Sequence, residues 1–343
     1  MSSTGLNTEL RIRPYQPSDE PAVLGLLVDA LGQGPGGNRS PEFFHWKHFD
    51  NPFGPSLLIV AELDGRIVGL RAFLRWRLDF GNRPLRAARA VDTVTHPEHQ
   101  GQGIFSRLTL HAVHILEGEA DLIFNTPNSK SLPGYLKMGW RTVGQVPIWV
   151  RVRRPVAFAT GLRSAFSMTA KPSREISVDA PPAADVLVDS PRLHSFIEEV
   201  ASQGERLTTP LGVDYLTWRY ARAPLGYRAI VDEDAGGIRG IAIFRIRPRG
   251  GLWEATIAEV LVRPHDRSTA ARLLDLACRC APVDHAVCHF PSGSPQLAAA
   301  RRRWFVRSPR GETLTVNPLR PDLVDVCSEL RSWAVSLGTM EVF

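Results

Sequence analysis

Val91-Asp-Thr-Val-Thr-His-Pro-Glu-His-Gln-Gly-Gln-Gly-Ile-Phe105 is the stretch on which the reading of this chain turns. An alternating strand runs into a Pro-bearing turn, then a glycine-spaced loop. A helix follows, because Ile104, Leu108, Ala112 and Ile115 recur at helical spacing. That order sets backbone N–H groups at the positive end of a helix, where a pyrophosphate can dock. Gly101 and Gly103 carry no Cβ, so phosphate oxygens can approach the main chain closely. Taken alone, the same pattern also describes a tight turn without a ligand.

Working outward, the spacing predicts a strand over 10–14, a helix over 19–31 with Ser18 as N-cap, and a second helix over 41–49. Strands follow near 56–63, 66–76 and 89–95, then a helix over 103–117, a strand over 121–125, a helix over 131–138 and a strand from Trp140. Antiparallel strands followed by a β-α-β-α-β run give an α/β (α+β) class, with a mixed, mostly antiparallel sheet and helices on both faces. The alternating C-terminal residues 332–343 read as a strand returning to a sheet edge.

The plan occurs twice. Phe43-Phe-His-Trp-Lys-His-Phe-Asp-Asn-Pro-Phe-Gly54 matches Tyr215-Leu-Thr-Trp-Arg-Tyr-Ala-Arg-Ala-Pro-Leu-Gly226. Asp64-Gly-Arg-Ile-Val-Gly-Leu-Arg-Ala-Phe73 is echoed by Ala235-Gly-Gly-Ile-Arg-Gly-Ile-Ala-Ile-Phe244, and Asp92-Thr-Val-Thr-His-Pro97 by Glu259-Val-Leu-Val-Arg-Pro264. Ordered matches of this kind indicate an internal duplication. Features shared by both halves, such as Trp46/Trp218 and Gly69/Gly240, serve folding. After Pro264 the loop holds no glycine, so a second phosphate site is not expected. The expected division is a catalytic domain over 1–154, a connector over 155–182 with a helix over 155–170 and a Pro/Ala-rich tail, and a degenerate domain over 183–343.

Composition narrows the class. A chain of 343 residues with 43% hydrophobic residues and eight Trp can bury two ordinary cores. No run approaches the ~20 apolar residues of a membrane span, and residues 1–14 lack the apolar core of a signal peptide. Four Cys form no disulfide framework, which makes a reducing cytoplasm the expected compartment. The net charge of +6 comes almost entirely from dispersed Arg, which suits phosphate capture. No basic patch with interleaved aromatics points to nucleic acid. Cys278, Cys280, His285, Cys288 and His289 look superficially like metal ligands, but the Cys-x-Cys spacing is too short for a usual zinc pair, so no metal is expected.

Gln100-Gly-Gln-Gly103-Ile-Phe105 resembles the Gln/Arg-x-x-Gly-x-Gly/Ala loop of the GNAT superfamily of acyl-CoA N-acyltransferases, ending in Phe105 where the family has Gly or Ala. Asn125-Thr-Pro-Asn128-Ser-Lys-Ser-Leu-Pro-Gly-Tyr135-Leu-Lys-Met-Gly139-Trp140 resembles the family's next strand-to-helix segment. The chain therefore resembles a tandem GNAT protein with a degenerate C-terminal copy. The resemblance implies acetyl-CoA as co-substrate, with its pantetheine arm beside Thr93, Val94 and Thr95. Its pyrophosphate would sit on the N–H groups of Gln100, Gly101, Gln102, Gly103, Ile104 and Phe105.

It further implies direct attack by a primary amine, from a small molecule or a peptide, on the thioester carbonyl. Tyr135 is the family's position for the acid that protonates the leaving thiolate; a half-buried packing aromatic is the other reading. Asp92 could take the amine's proton through water, or be held by an Arg as a structural pair. Asn128 could bind cofactor, or simply form its turn. A non-catalytic acyl-CoA-binding module is the rival function. A Fem-type aminoacyl-tRNA-dependent transferase is a more distant one, since its site does not need the intact loop seen here.

Overall fold

The computed structural model describes residues 10–31, 39–164, 174–201, 204–222 and 224–340. The first half comprises β1 (Arg11–Pro14), α1 (Glu20–Leu31), α2 (Pro41–His48), β2 (Leu57–Leu63), β3 (Arg66–Phe80), β4 (Arg83–Thr95), α3 (Ile104–Leu116), β5 (Leu122–Asn125), α4 (Leu132–Lys137) and β6 (Arg141–Val152). The order follows the sequence reading, with β3 and β4 longer than expected. Their extra residues form the two-residue hairpin end at Gly81 and Asn82, where polarity hides the strand signal. Ser18 is not the N-cap; it lies inside a 3-10 turn, Pro17–Asp19, whose Asp19 carboxylate accepts from Gln16 N–H at 2.8 Å.

The second half repeats the order. It runs through α5 (Pro155–Ser164), α6 (Ala183–Val186), α7 (Pro191–Val200), α8 (Val213–Leu216), β7 (Arg228–Asp234), β8 (Gly237–Arg249), β9 (Leu252–Val262), α9 (Arg267–Arg279), β10 (His285–Cys288), α10 (Pro295–Arg302) and β11 (Val306–Pro318). Any continuation of α5 to residue 170 lies outside the described residues. Among the described residues of the expected C-terminal strand, Trp333 forms a single bridge to Leu207 and Leu337–Met340 form a short helix, α11; 341–343 lie outside the described residues. Gly338 sits against Tyr220 and Glu259, which leaves this segment packed by its side-chain surroundings rather than by a strand ladder.

The compact units cut the chain differently from the expected boundaries. One comprises Met1–Arg77, Leu85–Arg141 and Thr315–Val324; the other comprises Leu78–Pro84, Thr142–Leu314 and Asp325–Phe343. Thus β6, the last strand of the first half, falls almost wholly in the second unit, and the end of β11, Thr315–Pro318, falls in the first. In the first unit the strand order is β1-β2-β3-β4-β5, with the end of β11 antiparallel to β5 (Thr315 opposite Asn125). In the second it is β7-β8-β9-β10, with β6 antiparallel to β10 (Val152 opposite His285). β4/β5 and β9/β10 pair in parallel and are joined by helical crossovers.

In the first unit, α3 buries Ile104, Leu108, Ala112 and Leu116 against Ile59, Ala61, Val68, Phe73 and Ala88 of the sheet. Gly69 permits this approach: a Cβ there would meet Ile104 Cγ2 and Leu108 Cδ1, both at 3.0 Å. In the second unit Gly240 does the same for Thr269 and Leu273 of α9. Residues 68–74 of β3 are buried without alternation, so that strand is covered on both faces.

Candidate functional site

The glycine loop opens α3 as the sequence required. Gly101 and Gly103 adopt φ of 78° and 76°, left-handed values that favour glycine, and nothing lies within 4 Å of where a Cβ would stand on either. Gly103 is the N-cap and offers no side-chain cap. Among the described residues, none accepts a hydrogen bond from the N–H groups of Gly101, Gln102, Gly103, Ile104 or Phe105. The loop braces itself instead: Gln100 Nε2 donates to Thr95 O at 3.2 Å and Gln102 Nε2 to Glu98 O at 3.4 Å. A positive helix end with exposed donors and no internal acceptor fits a phosphate group.

Next to it the sheet parts. β4 pairs with β5 only at Ala87, Ala88 and Arg89, then runs on to Thr95, while β5 stops at Asn125. Residues 90–95 therefore have no partner strand on that side among the described residues. This suits an extended ligand lying along Thr93, Val94 and Thr95. The side chains of Val94 and Ile104 are buried, so only their backbones are available to a ligand.

Tyr135 is buried in α4, and sequence reasoning missed its partner. Arg71 of β3, fully buried, donates to Tyr135 Oη at 2.6 Å and to Val91 O at 2.8 Å, and also to Thr93 Oγ1. The guanidinium carbon stands 4.3 Å from the Phe73 ring centre and 5.9 Å from that of Phe105. Burial lowers its pKa against the opposing influence of Tyr135 and Asp92, yet a guanidinium stays protonated in a protein. Phe105, the loop residue that departs from the family pattern, packs edge-on to Tyr135 at 5.4 Å. Gly134 makes room for it, since a Cβ there would meet Phe105 Cε1 at 2.8 Å.

Asp92 is the centre of an ion cluster. Its Oδ2 lies 2.8 Å from Lys47 Nζ and 3.1 Å from His48 Nε2, while His48 Nδ1 meets Ser56 Oγ at 3.0 Å. Burial alone would raise the Asp92 pKa; the Lys47 charge and the His48 hydrogen bond outweigh it and hold the carboxyl well below its usual range. Such a carboxylate has little affinity for a proton at neutral pH. Burial lowers the pKa of both Lys47 and His48, with Asp92 pulling the other way. The geometry is that of a structural pair, but with Lys47 and His48 in the place of the expected Arg; the nearest arginine, Arg39, stands 4.0 Å from Asp92 Oδ1. Asn128 Oδ1 accepts from Lys130 N–H and Ser131 N–H at 3.0 and 2.9 Å, so the turn consumes its oxygen and leaves its amide nitrogen for any ligand.

The second unit shows which of these features the fold itself needs. Lys47, His48 and Asp92 match Arg219, Tyr220 and Glu259, and there too the carboxylate is held, by Tyr220 Oη at 2.7 Å. The Arg71–Tyr135 pair has no such counterpart. Arg71 and Ala242 occupy matching places, each two residues past the glycine that seats the helix. Tyr135 matches Ala300: the N–H of Trp140 donates to Tyr135 O and that of Phe305 to Ala300 O, both at 3.1 Å. The loop differs as well, because Asp266 caps α9 with its own carboxylate, accepting from Thr269 N–H at 2.9 Å. That helix end already carries an anion.

Among metal-competent groups, His96, Glu98 and His99 bring one ligand atom each within 4.8 Å of one another on the turn before the loop. His96 Nδ1 already accepts from Glu98 N–H at 3.3 Å. All four cysteines are free and buried, and burial pushes the Cys278 and Cys280 thiols up to about 11 and about 12. His285 and His289 are engaged by Glu254 and by Pro147 O.

Residues 11–143 match the family model described as an acetyltransferase (GNAT) domain. No curated protein matches the chain. Similar solved structures include a GCN5-related N-acetyltransferase from Anabaena variabilis (TM-score 0.61, 13% identity, 95% of this chain and 75% of that one). A GCN5-related N-acetyltransferase from Kribbella flavida gives 0.57 at 12% identity, over 92% of this chain and 72% of that one. Eis1 from Mycobacterium abscessus gives 0.55 at 14% identity, covering 94% and 76%.

Proposed function

From the match of residues 11–143 to an acetyltransferase (GNAT) domain, we propose that the first unit of this chain transfers an acetyl group from acetyl-CoA to a primary amine of a small molecule or peptide. The observation that carries this reading is the uncapped start of α3, with two left-handed glycines and open space where their side chains would be. The N–H groups of Gly101, Gln102, Gly103, Ile104 and Phe105 hold the diphosphate, whereas the expected Gln100 N–H is engaged by Pro97 O at 3.3 Å, and the free edge of Thr93, Val94 and Thr95 takes the pantetheine arm. Tyr135 supplies a proton to the departing sulfur. Asp92 keeps Lys47 and His48 in place rather than taking the amine's proton itself. The second unit, whose helix start is capped by Asp266, supports the fold and binds no acyl-CoA. Four free cysteines suit a reducing cytoplasm; among the described residues no helix is long and apolar enough to cross a membrane.

Thermal unfolding with and without acetyl-CoA tests the reading. At a hundred times its dissociation constant the ligand should add about 2.7 kcal/mol of stability. Gly103→Trp should remove that gain, because its Cβ would point into open space where the diphosphate must lie and the φ of 76° strains any side chain at the loop. An unchanged shift in that variant would refute the assigned phosphate site. Binding without thiol release across a panel of amines would leave an acyl-CoA-binding module in place of an enzyme.

A further inference from the structure

Arg71 breaks the rule that a buried charge is paired with an opposite one. It is fully buried, its contacts are a carbonyl, two hydroxyls and aromatic faces, and its Nε has no hydrogen-bond partner. The neighbouring carboxylate, Asp92, is taken by Lys47 and His48. A guanidinium placed this way weakens the fold, since its hydration is lost and no carboxylate replaces it. The second unit shows the fold does without it: Ala242 stands at the matching place, and Ala300 stands where Tyr135 would be. At these matched positions the cation and the phenol are present together in one copy and absent together in the other; the second unit's buried arginine–tyrosine contact, Arg219 to Tyr227 Oη at 3.0 Å, is built from other positions. That joint pattern separates them from the Asp92 cluster, which both copies keep in kind.

Resting on the acyl-transfer reading, we propose that Arg71 is the positioning residue of Tyr135, fixing its hydroxyl and stabilising the negative charge it acquires on giving up its proton. Arg71 Nη2 donates into an oxygen lone pair of Tyr135 at 2.6 Å, so the phenolic proton must point elsewhere. In the reaction a C–N bond forms and the C–S bond breaks, with its electron pair passing to sulfur. The Tyr135 proton follows that pair, and the phenolate left behind faces a fixed cation in a dry site. The proton shed by the amine nitrogen restores the phenol. Asp92, Lys47, His48, Arg39 and Arg89 are other charged or titratable groups of this neighbourhood; Lys47 and His48 hold Asp92, with Arg39 4.0 Å from its other oxygen, and the phenol receives its hydrogen bond from Arg71.

The test needs no acceptor. Coenzyme A is bound to the wild type and to Arg71→Met, Arg71→Lys, Tyr135→Phe and the double variant Arg71→Met/Tyr135→Phe. The ionisation of its thiol is followed by thiolate ultraviolet absorbance against the unliganded protein. The bound thiol should ionise about one pH unit higher in Arg71→Met than in the wild type, with Arg71→Lys between them. In the Tyr135→Phe background the same change should have a smaller effect, because the arginine acts through the hydroxyl. Thermal stability of Arg71→Met should hold or rise, as burying a thioether in its place is favourable. Identical titration in wild type and Arg71→Met, or a full effect persisting without the Tyr135 hydroxyl, overturns the proposal alone. Failure of coenzyme A to bind the wild type overturns the acyl-transfer reading and this inference with it. Unfolding of Arg71→Met would make the arginine structural and overturn the proposal as well.

Discussion

Glu259→Gln is the perturbation that probes the second unit most directly. Glu259 is buried, with Tyr220 Oη at 2.7 Å and Ser336 Oγ at 2.5 Å from its Oε1. Desolvation dominates and raises its pKa from 4.5 to about 7, against the hydrogen bonds from Ser336 and Tyr220 and the charge of Arg219. The folded protein therefore keeps a proton that the unfolded chain releases above pH 4.5. The stability this provides is whole below that pH, fades as the pH rises to about 7, and is flat beyond. At about 1.4 kcal/mol per pH unit, the gap from 4.5 to about 7 amounts to about 3 kcal/mol. Glutamine is neutral throughout and lacks that loss. Urea unfolding followed by Trp fluorescence from pH 4.5 to 8 would measure both proteins, and every other titrating group cancels in their difference. The difference should move by about 3 kcal/mol in favour of glutamine across that range. Parallel stability curves for the two proteins would refute the argument.

Asp92→Asn should cost about 3–5 kcal/mol, because it leaves the buried Lys47 ammonium without its carboxylate; denaturant unfolding checks it. If activity falls with stability intact, Asp92 is a base after all and the ion-pair reading fails. Gly338→Ala should loosen the C-terminal segment, since the new methyl would stand 2.8 Å from Glu259 Oε1 and still closer to Tyr220 Oη. Limited proteolysis should then cut within 325–340 well before the wild type is touched; equal digestion rates would refute the contact.

The phosphate loop was legible because its chemistry is local: two glycines, a strand before and a helix after suffice to place N–H groups on an anion's path. The duplication was legible for the same reason, since Trp46 and Trp218 or Gly69 and Gly240 each announce a packing need at a fixed spacing. The exchange of β6 and β11 was not. Alternation marks a segment as a strand but carries no record of which edge it joins, and an antiparallel edge accepts either copy's last strand. Arg71 stayed hidden for another reason. On a strand reading it is one cation in an apolar run, and only the fold brings its guanidinium to a hydroxyl 64 positions away. A comparison of the two halves at that column, Arg71 against Ala242, was the signal in the sequence that could have found it.

The two carboxylates at the matched position show how little the column itself decides. Asp92 is pushed down and Glu259 up, although both are buried and both receive a hydrogen bond from the aromatic side chain that α2 or its counterpart provides. What differs is the cation. Lys47 aims its ammonium at Asp92, 2.8 Å away, whereas Arg219 directs one nitrogen to Gly338 O and another to Tyr227 Oη, each at 3.0 Å. The C-terminal segment takes one Arg219 nitrogen through Gly338 O and adds the Ser336 hydroxyl to Glu259, while the Arg219 charge opposes desolvation only in part. Releasing that segment should therefore do two things at once: free the Arg219 nitrogen held by Gly338 O and lower the pH at which the carboxyl ionises. Gly338→Ala examined by carboxyl-band infrared titration against Glu259→Gln would show it, as a fall of the Glu259 transition from about 7 toward the ordinary 4.5. A transition that stayed near 7 with the segment detached would mean that desolvation by the core, and not the tail, sets the proton affinity of this site.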